Sequence, residues 1–418
     1  MEAWLLQWLS LLLRWAHFIV GIAWIGASFY FNWLENHLQG RHLQRRPGGA
    51  GEGNPQSIDP IAGDLWAVHG GGFYYLQKYR VAPERLPETL HWFKYEAYFT
   101  WLSGFALMAL VYYWNARLYL LDPAVSAISS GQAIALCLVS LLASWLVYDG
   151  LCRSPLQRRP LLLSVLIFAW FALLAIVLGR YLSGRAAYLH VGAAVGTVMV
   201  ANVFFVIIPA QKELVAALVQ GRAPDARQGQ NALLRSRHNN YLALPVLFLM
   251  ISNHYPATYA SAYNWLVLLV FSLASVGIRH WFNVRHLPSH NRWVLPGSLV
   301  LLAALILATL PGGRSILPGA APISTVNIMP LVRQRCSGCH TSQPTLAGFT
   351  EPPLGLAFDS EDLVEARAER IYQSAVATRT MPLGNLTAMT EDERELLGRW
   401  YAGLNPGNPE PAPKDSNN

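Results

Sequence analysis

The sequence is poor in charge and in cysteine. Charged residues make up only 13% of the 418 residues and hydrophobic residues make up 53%, whereas a soluble globular domain carries about 25% charge. The four cysteines give no disulfide framework. We expect Cys137, in an apolar run, and Cys152, in a short basic loop, to be unpaired structural thiols. These shortages exclude an ordinary soluble protein and predict an integral membrane protein.

Acidic residues are scarce in most of the chain. Residues 1–321 hold 23 Lys and Arg but only 12 Asp and Glu, whereas residues 322–418 hold 8 and 12. The first part therefore has a net charge of +11 and the second part −4. A basic balance in a membrane protein usually reflects the topology of its loops. We therefore infer a lipid membrane as a partner and no nucleic acid.

Eight segments are long and apolar enough to cross a membrane, which takes about 20 residues. The first has no small-residue cleavage site and is interpreted as a retained helix, and the sixth holds Pro245, which predicts a kink. The segments cover residues 5–31, 97–114, 131–148, 161–179, 186–208, 240–254, 263–283 and 293–310. The predicted fold class is all-α: a polytopic membrane helical bundle over residues 1–312, followed by a small all-α domain.

The C-terminal part of the chain, after residue 312, differs in composition from the apolar segments before it. A Pro/Gly-rich linker is predicted at residues 313–321, a domain at 322–405 and a disordered polar tail at 406–418. The domain contains Cys336-Ser337-Gly338-Cys339-His340, a complete C-x-x-C-H haem-attachment motif. The two cysteines form thioethers to the haem vinyl groups, and His340 ligates the iron. The domain is therefore predicted to be a cytochrome c with one covalent haem, which transfers single electrons.

A compact cytochrome c usually takes its sixth iron ligand from a methionine near the far end of the domain. Met381 is the predicted ligand, because it follows His340 by 41 residues and precedes Pro382, which keeps the backbone extended. Met389 is the alternative, and Met329, before the motif, is the weakest candidate. Residues 390–393 (TEDE) form a capping box that predicts a last helix ending at residue 404.

The orientation follows from two independent arguments. Haem is attached to C-x-x-C-H motifs on the outer face of the bacterial inner membrane, so the C-terminal domain and, across eight spans, the N-terminus should both be periplasmic. The loops that then face the cytoplasm hold 18 Lys and Arg, and the outward loops hold three. The positive-inside rule agrees with the haem argument. We expect a multi-pass protein of the bacterial inner membrane.

Ionisable residues inside a bilayer are costly and are candidates for function. His17 lies within the first predicted span and His190 early in the fifth. Paired intramembrane histidines would suit a haem b that relays electrons to the outer haem, whereas histidines hydrogen-bonded between helices are the plainer alternative. No helix carries two His 13 or 14 residues apart, as in bc-type cytochromes, and no His-His dipeptide indicates a haem–copper centre.

Two polar segments at the cytoplasmic side supply candidate substrate groups. Residues 64–80 (DLWAVHGGGFYYLQKYR) surround His69 with aromatic residues and glycines, and the next span begins near Lys94 and Glu96. Residues 235–240 add His238 beside two arginines. Such acid–base and cationic groups would suit a flat, anionic heteroaromatic. An interfacial aromatic belt and positive-inside anchoring explain the same residues without a substrate.

Several long strings of the sequence resemble the bacterial membrane-bound urate oxidases, also called urate hydroxylases, over nearly the whole chain. These proteins join an eight-helix membrane domain to a C-terminal cytochrome c. The strings are RWAHFIVGIAWIGASFYFNWLEN (14–36), LWAVHGGGFYYLQKY (65–79), LHWFKYEAYFTWLSGF (90–105), LHVGAAVGTVMVANVFFVIIPAQ (189–211), RSRHNNYLALPVLFLMISNHYP (235–256), RCSGCH (335–340) and TMPLGNLTAMTEDER (380–394).

The resemblance implies oxidation of urate to 5-hydroxyisourate in purine catabolism, without hydrogen peroxide as a product. Electrons would leave through haem c, at Cys336, Cys339, His340 and Met381, to a soluble cytochrome c or a terminal oxidase. We assign His69, Lys94, Glu96 and His238 to the urate site from the residues alone. A urate site at the inner face would lie about 30 Å from the outer haem, so it would need a relay such as a haem b at His17 and His190. A urate site at the outer face would not.

Two other functions are compatible with the sequence. One is a membrane electron-transfer subunit, with a quinol-linked haem b and a haem c, whose catalysis lies on another chain. The other is a transporter or sensor whose cytochrome domain reports the redox state. Reduction of the haem by urate would distinguish a urate oxidase from both of these alternative functions.

Overall fold

A computed structural model describes residues 2–38, 61–79, 82–83, 85–260, 263–287, 291–309, 323–346 and 349–404. The predicted linker at 313–321 and tail at 406–418 lie outside these residues. The described chain is mainly helical. Its elements up to residue 309 are α1 (Glu2–His37), β1 (Ile61–His69), β2 (Gly72–Tyr79), α2 (Tyr95–Met108), α3 (Ala116–Tyr119), α4 (Ser130–Arg153), α5 (Pro160–Tyr181), α6 (Gly184–Asn202), α7 (Ile208–Val219), α8 (Ala226–Ser252), α9 (Pro256–Tyr259), α10 (Asn264–Val284) and α11 (Val294–Ala308).

Five of these helices are long and apolar enough to cross a membrane, at Trp8–His37, Ser130–Arg153, Pro160–Tyr181, Gly184–Val219 and Asn264–Val284. They coincide with five of the eight predicted segments. The other three segments are also mostly helical. Helix α11 is apolar but has only 15 residues, and neither α2 nor α8 is both long enough and apolar enough to cross a membrane. The number of eight spans stays a prediction.

The prediction of an all-α fold is wrong for the first long loop. Strands β1 and β2 form an antiparallel hairpin in which His69 pairs with Gly72. Gly70 and Gly71 have φ angles of +57° and +80°, the backbone that a two-residue hairpin turn requires and that glycine adopts at little cost. The aromatic residues of this segment favour strands. An ion pair between Lys78 and Glu35 joins the hairpin to the end of α1.

Helices α1 to α11 form the unit that is called the membrane domain below, after its long apolar helices, and α6 is its centre. Most residues of α6 are buried, and it contacts α2, α4, α5 and α8. Small residues along GRAAYLHVGAAVGTVMVAN let neighbouring backbones approach closely. Gly192 faces α8, where an added Cβ would lie 2.7 Å from Cε of Met250 and 2.9 Å from Cβ of Leu249. The α6–α8 contact therefore depends on the absence of a side chain there.

Replacing Gly192 with valine should destabilise the membrane domain by about 1–3 kcal/mol, because α8 must move or strain to admit the side chain. The measurement is the thermal unfolding midpoint of the detergent-solubilised protein. Gly196→Val is the matched control on the same helix, since within the described residues no heavy atom outside the local backbone of α6 lies within 4 Å of its added Cβ. Equal midpoints for the two variants would contradict the packing argument.

The C-terminal residues form a separate small helical unit with its own hydrophobic core. Its elements are α12 (Thr325–Arg335), α13 (Glu361–Glu365), α14 (Ala368–Ile371) and α15 (Glu391–Leu404), with short 3₁₀ turns at Pro353–Gly355 and Leu383–Asn385. The predicted capping box is confirmed: Thr390 N donates to a Glu393 carboxylate oxygen at 2.7 Å, and Glu393 N donates to Thr390 Oγ1 at 3.3 Å. Trp400 is fully buried in the core.

Candidate functional site

The C-x-x-C-H motif follows directly on α12 as a tight turn. The backbone N–H groups of Cys339 and His340 both donate to the Cys336 carbonyl oxygen, at 3.2 and 2.9 Å. Nδ1 of His340 lies 2.9 Å from the Leu356 carbonyl oxygen. Because a carbonyl only accepts, Nδ1 must carry the proton, which leaves the Nε2 lone pair for a metal ion. The donor chemistry of this turn fits a covalently attached haem whose iron is ligated by His340.

The three candidate methionines differ in their surroundings. Met389 and Met329 are each 4% exposed and belong to the core. Met381 is half-buried and lies in a loop whose backbone is held at two points. Its N–H donates to the Ser374 carbonyl oxygen at 2.9 Å, and its carbonyl oxygen accepts from Arg394 at 2.8 Å. This position favours Met381 as the methionine that could ligate a haem iron.

The Met381 loop also contacts the membrane domain. Gly384 has a φ angle of +58°, and a Cβ there would lie 2.8 Å from the Leu118 carbonyl oxygen and 3.0 Å from that of Leu121. Near this contact, burial raises the pKa of the Asp122 carboxyl, although the Ala124 N–H and the charge of Arg394 oppose the shift. The C-terminal unit thus packs on one end of the helical bundle through the loop that carries Met381.

At the same end of the bundle, His190 is fully buried among tyrosines. Its ring lies 6.0 Å from that of Tyr112 and 5.8 Å from that of Tyr113, and both tyrosines lie in the π-helical turn Ala109–Tyr113 that continues α2. Nδ1 of His190 lies 2.8 Å from the Ala186 carbonyl oxygen. Nε2 of His190 and the hydroxyls of both tyrosines are buried and have no hydrogen-bond partner within the described part of the chain.

At the opposite end, α4, α6 and α8 enclose a polar network around Arg235, which is 0% exposed. Arg235 donates to Asp149 at 2.7 Å and to Asn202 at 3.2 Å. Asn202 in turn donates to Tyr148 at 3.0 Å and to Asn239 at 2.9 Å. Together with His238, these residues are called the Arg235 network below. It is separated from His190 by twelve residues of α6, about 18 Å.

His238 belongs to this network. Its Nδ1 lies 2.8 Å from the Tyr148 hydroxyl and 3.7 Å from Sγ of Cys152. The guanidinium of Arg235 lies over the rings of Tyr148 and Trp145. A buried cation with a carboxylate partner holds neighbouring polar groups in place and can also recognise an anion.

The membrane domain matches one protein family over almost its entire length. A family model described as urate oxidase N-terminal matches residues 3–310. The chain belongs to this family. No curated protein and no solved structure matches the chain.

Membership in the urate oxidase N-terminal family indicates an oxidoreductase that acts on urate. The matched residues contain α1 to α11, with both the Arg235 network and the buried His190. They end before the C-x-x-C-H motif, so the C-terminal unit rests on its own sequence and geometry.

The structure places the four residues predicted for the urate site on three elements: β1, the start of α2, and α8. His69 is exposed at the tip of the hairpin. Lys94 precedes α2 with its ammonium 4.9 Å from the ring centre of Tyr95, and Glu96 lies in the first turn of that helix. Only His238 lies in a buried network. The four assignments stay predictions.

The two histidines predicted for a haem b differ. His190 fits an axial ligand, because its Nε2 is buried and unpartnered among the described residues. His17 is half-buried, and its Nδ1 lies 3.0 Å from the Thr100 carbonyl oxygen and 3.1 Å from the Ser103 hydroxyl. A haem b at these residues stays a prediction.

Sequence reasoning missed the partners that make these clusters. Asp149, Tyr148 and Asn202 lie on α4 and α6, far along the chain from Arg235. Asp149, near the end of the apolar helix α4, could have indicated such a cluster, because an ionisable residue beside a predicted span is usually paired with another polar group. The pair Tyr112 and Tyr113 gave no such signal in an aromatic-rich chain.

Proposed function

We propose that this chain is a membrane-bound urate oxidase that converts urate to 5-hydroxyisourate and releases the electrons through a haem c in its C-terminal domain. The observation that supports this most strongly is the packing of the Met381 loop on the end of the urate oxidase domain, at Gly384. This contact supports an electron exit next to the domain that matches the urate oxidase family.

The reaction balances without molecular oxygen. Urate plus water gives 5-hydroxyisourate, two electrons and two protons, because the new C–O bond takes its oxygen from water. The required oxidant is a one-electron carrier that accepts twice, either a soluble cytochrome c or a terminal oxidase. A bound haem c would supply a single-electron couple. Hydrogen peroxide is then not a product.

The chain provides the groups that would hold this haem. Cys336 and Cys339 supply the two thiols, and His340 presents Nε2 because the Leu356 carbonyl oxygen holds Nδ1. Arg394 fixes the Met381 loop by donating to the Met381 carbonyl oxygen at 2.8 Å and to Asn385 at 3.3 Å.

The membrane arrangement is part of the proposal. The chain would cross the inner membrane eight times, with a periplasmic N-terminus and a periplasmic C-terminal domain. The five long apolar helices support a multi-pass protein, and the distribution of basic loops supports this orientation. A substrate bound in the Arg235 network, with His238, would require a relay to the C-terminal domain. His190, with His17, would then hold a haem b.

The test is anaerobic reduction of the haem by urate in purified membranes that contain the protein. We expect urate to reduce haem c with two electrons per urate consumed, although no molecular oxygen is present to accept them. A pyridine-haemochrome spectrum of the same preparation separates haem c alone from haem b plus haem c. Failure of urate to reduce the haem would leave an electron-transfer subunit or a redox sensor.

A further inference from the structure

A cavity of about 1000 Å³ lies between the end of the membrane domain and the C-terminal domain. The membrane domain contributes residues from α3, α5, α6, α9 and the start of α10, and the C-terminal domain contributes the Met381 loop and the first turn of α15. None of the three residues of the haem-attachment motif, Cys336, Cys339 and His340, lines it. The attachment motif itself therefore does not form the wall of this cavity.

The cavity has a cationic lining. Four arginines contribute to it and only two acidic residues do, which gives the lining a net charge of +2. Arg379 pairs with Glu391 at 2.6 Å. Arg394 lies near Asp122, where its positive charge lowers the pKa of the carboxyl and so opposes the increase caused by burial. The remaining positive charge belongs to the membrane domain, at Arg180 and Arg185.

Arg185 points to a ligand more specifically. Its Nε is buried and finds no hydrogen-bond acceptor among the residues that the structure describes. Its guanidinium lies 5.7 Å from the ring centre of Tyr119 and 6.0 Å from that of Tyr112. A buried donor left unpaired is destabilising, and more so when it is charged. An anionic oxygen in the cavity would supply the missing acceptor.

Two further features favour a planar anion. Ser183, Gly184 and Arg185 line the cavity at the N-terminus of α6, where the helix dipole attracts negative charge, and the Ser183 hydroxyl caps this terminus by accepting from Ala186 N at 3.3 Å. The aromatic residues Tyr119, Tyr259 and Trp265 also line it. The buried Tyr112 lies just behind this lining, with the Arg185 guanidinium 6.0 Å from its ring centre.

We infer that this interdomain cavity is the substrate site, and that it binds the urate monoanion or a similar planar oxopurine anion through Arg185. This inference rests on the proposed function. Met381 lines the same cavity, so the substrate would lie beside the loop of the predicted iron ligand. A relay across the membrane is then unnecessary, and the Arg235 network has a structural role.

The first test is sidedness in sealed membrane vesicles of known orientation. A membrane-impermeant reductant identifies the face on which haem c is accessible. We expect urate to reduce haem c only when it is added to that same face, in vesicles without a urate transporter. Reduction only from the opposite face would overturn the cavity while leaving urate oxidation intact. No reduction from either face would instead overturn the proposed function.

The second test compares arginine variants of the full-length protein. Arg185→Gln should raise the KM for urate by about tenfold or more, because a charge-assisted contact to the anion is lost. Arg185→Lys should recover part of the affinity. Arg117→Gln is the matched control, since Arg117 is exposed on the same end of the bundle and does not line the cavity.

Haem content, and the rate at which a small artificial reductant reduces the haem, should stay unchanged in all three variants. These readouts separate a binding defect from misfolding. An unchanged KM in a well-folded Arg185→Gln protein would overturn the assignment of Arg185 and the cavity.

Discussion

Replacing Cys336 and Cys339 with serine should remove the covalent haem and lower urate-dependent reduction of the electron acceptor by about 100-fold or more. Serine cannot form the thioether bonds, and single-electron exit depends on the haem iron. The measurements are a haem stain of the denatured protein, which detects only covalent haem, and anaerobic reduction of the acceptor by urate. Urate contacts with Arg185 should persist, because Arg185 lies in the family domain, which ends before the motif.

Cys137→Ser is the matched control, because Cys137 is a free, buried thiol in the membrane domain. It should keep the covalent haem and most of the activity. A double serine variant that still reduces the acceptor at the original rate would show that electrons leave by another route. Comparison of Met381→Ala with Met389→Ala extends the test: only the first should shift the reduction potential and remove the spectral signature of methionine ligation.

Replacing Arg235 with glutamine should destabilise the membrane domain by about 3–5 kcal/mol, the cost of breaking a buried ion pair by removing one partner. The side chain of Arg235 is 0% exposed, and the Asp149 side chain is only 17% exposed. Asp149 would lose its 2.7 Å partner, and Asn202 would lose a donor. The measurement is the thermal midpoint and the folded yield of the protein in detergent.

Asp149 provides its own matched control. Arg153 pairs with the same carboxylate at 2.6 Å, but its side chain is 66% exposed, so Arg153→Gln should cost at most about 1 kcal/mol. The double variant Asp149→Asn, Arg235→Gln should recover part of the stability, because no uncompensated charge stays buried. If the two single arginine variants were equally stable, the Arg235 network would not hold α4, α6 and α8 together.

Features set by neighbouring residues were predictable. The apolar runs gave the long helices, since backbone groups in a bilayer must be satisfied within the helix. The capping box was found because its two partners are three residues apart. The hairpin was missed although Gly70 and Gly71 are a turn signal, because the surrounding aromatic residues also fit a belt at the membrane surface.

The candidate site was less predictable. His69, Lys94, Glu96 and His238 share suitable chemistry, but chemistry alone does not measure distance. The sequence left substrate binding and anchoring of a cytoplasmic loop both open for Arg235, whereas its partner Asp149 lies 86 residues away and the packed helices bury Arg235. Pairings of this kind depend on how the helices pack.

The sequence by itself determined that this protein is mainly helical, that several of its helices are long and apolar enough to cross a membrane, and that it carries a C-x-x-C-H turn, because hydrophobicity and short motifs are properties of short segments. Only the tertiary structure decided what surrounds these segments. It buried Arg235 against Asp149, enclosed His190 between tyrosines and set Gly384 against the carbonyl groups of Leu118 and Leu121. Each of these contacts joins residues far apart in the chain, and such contacts exist only when packed helices bring their backbones within a few ångströms.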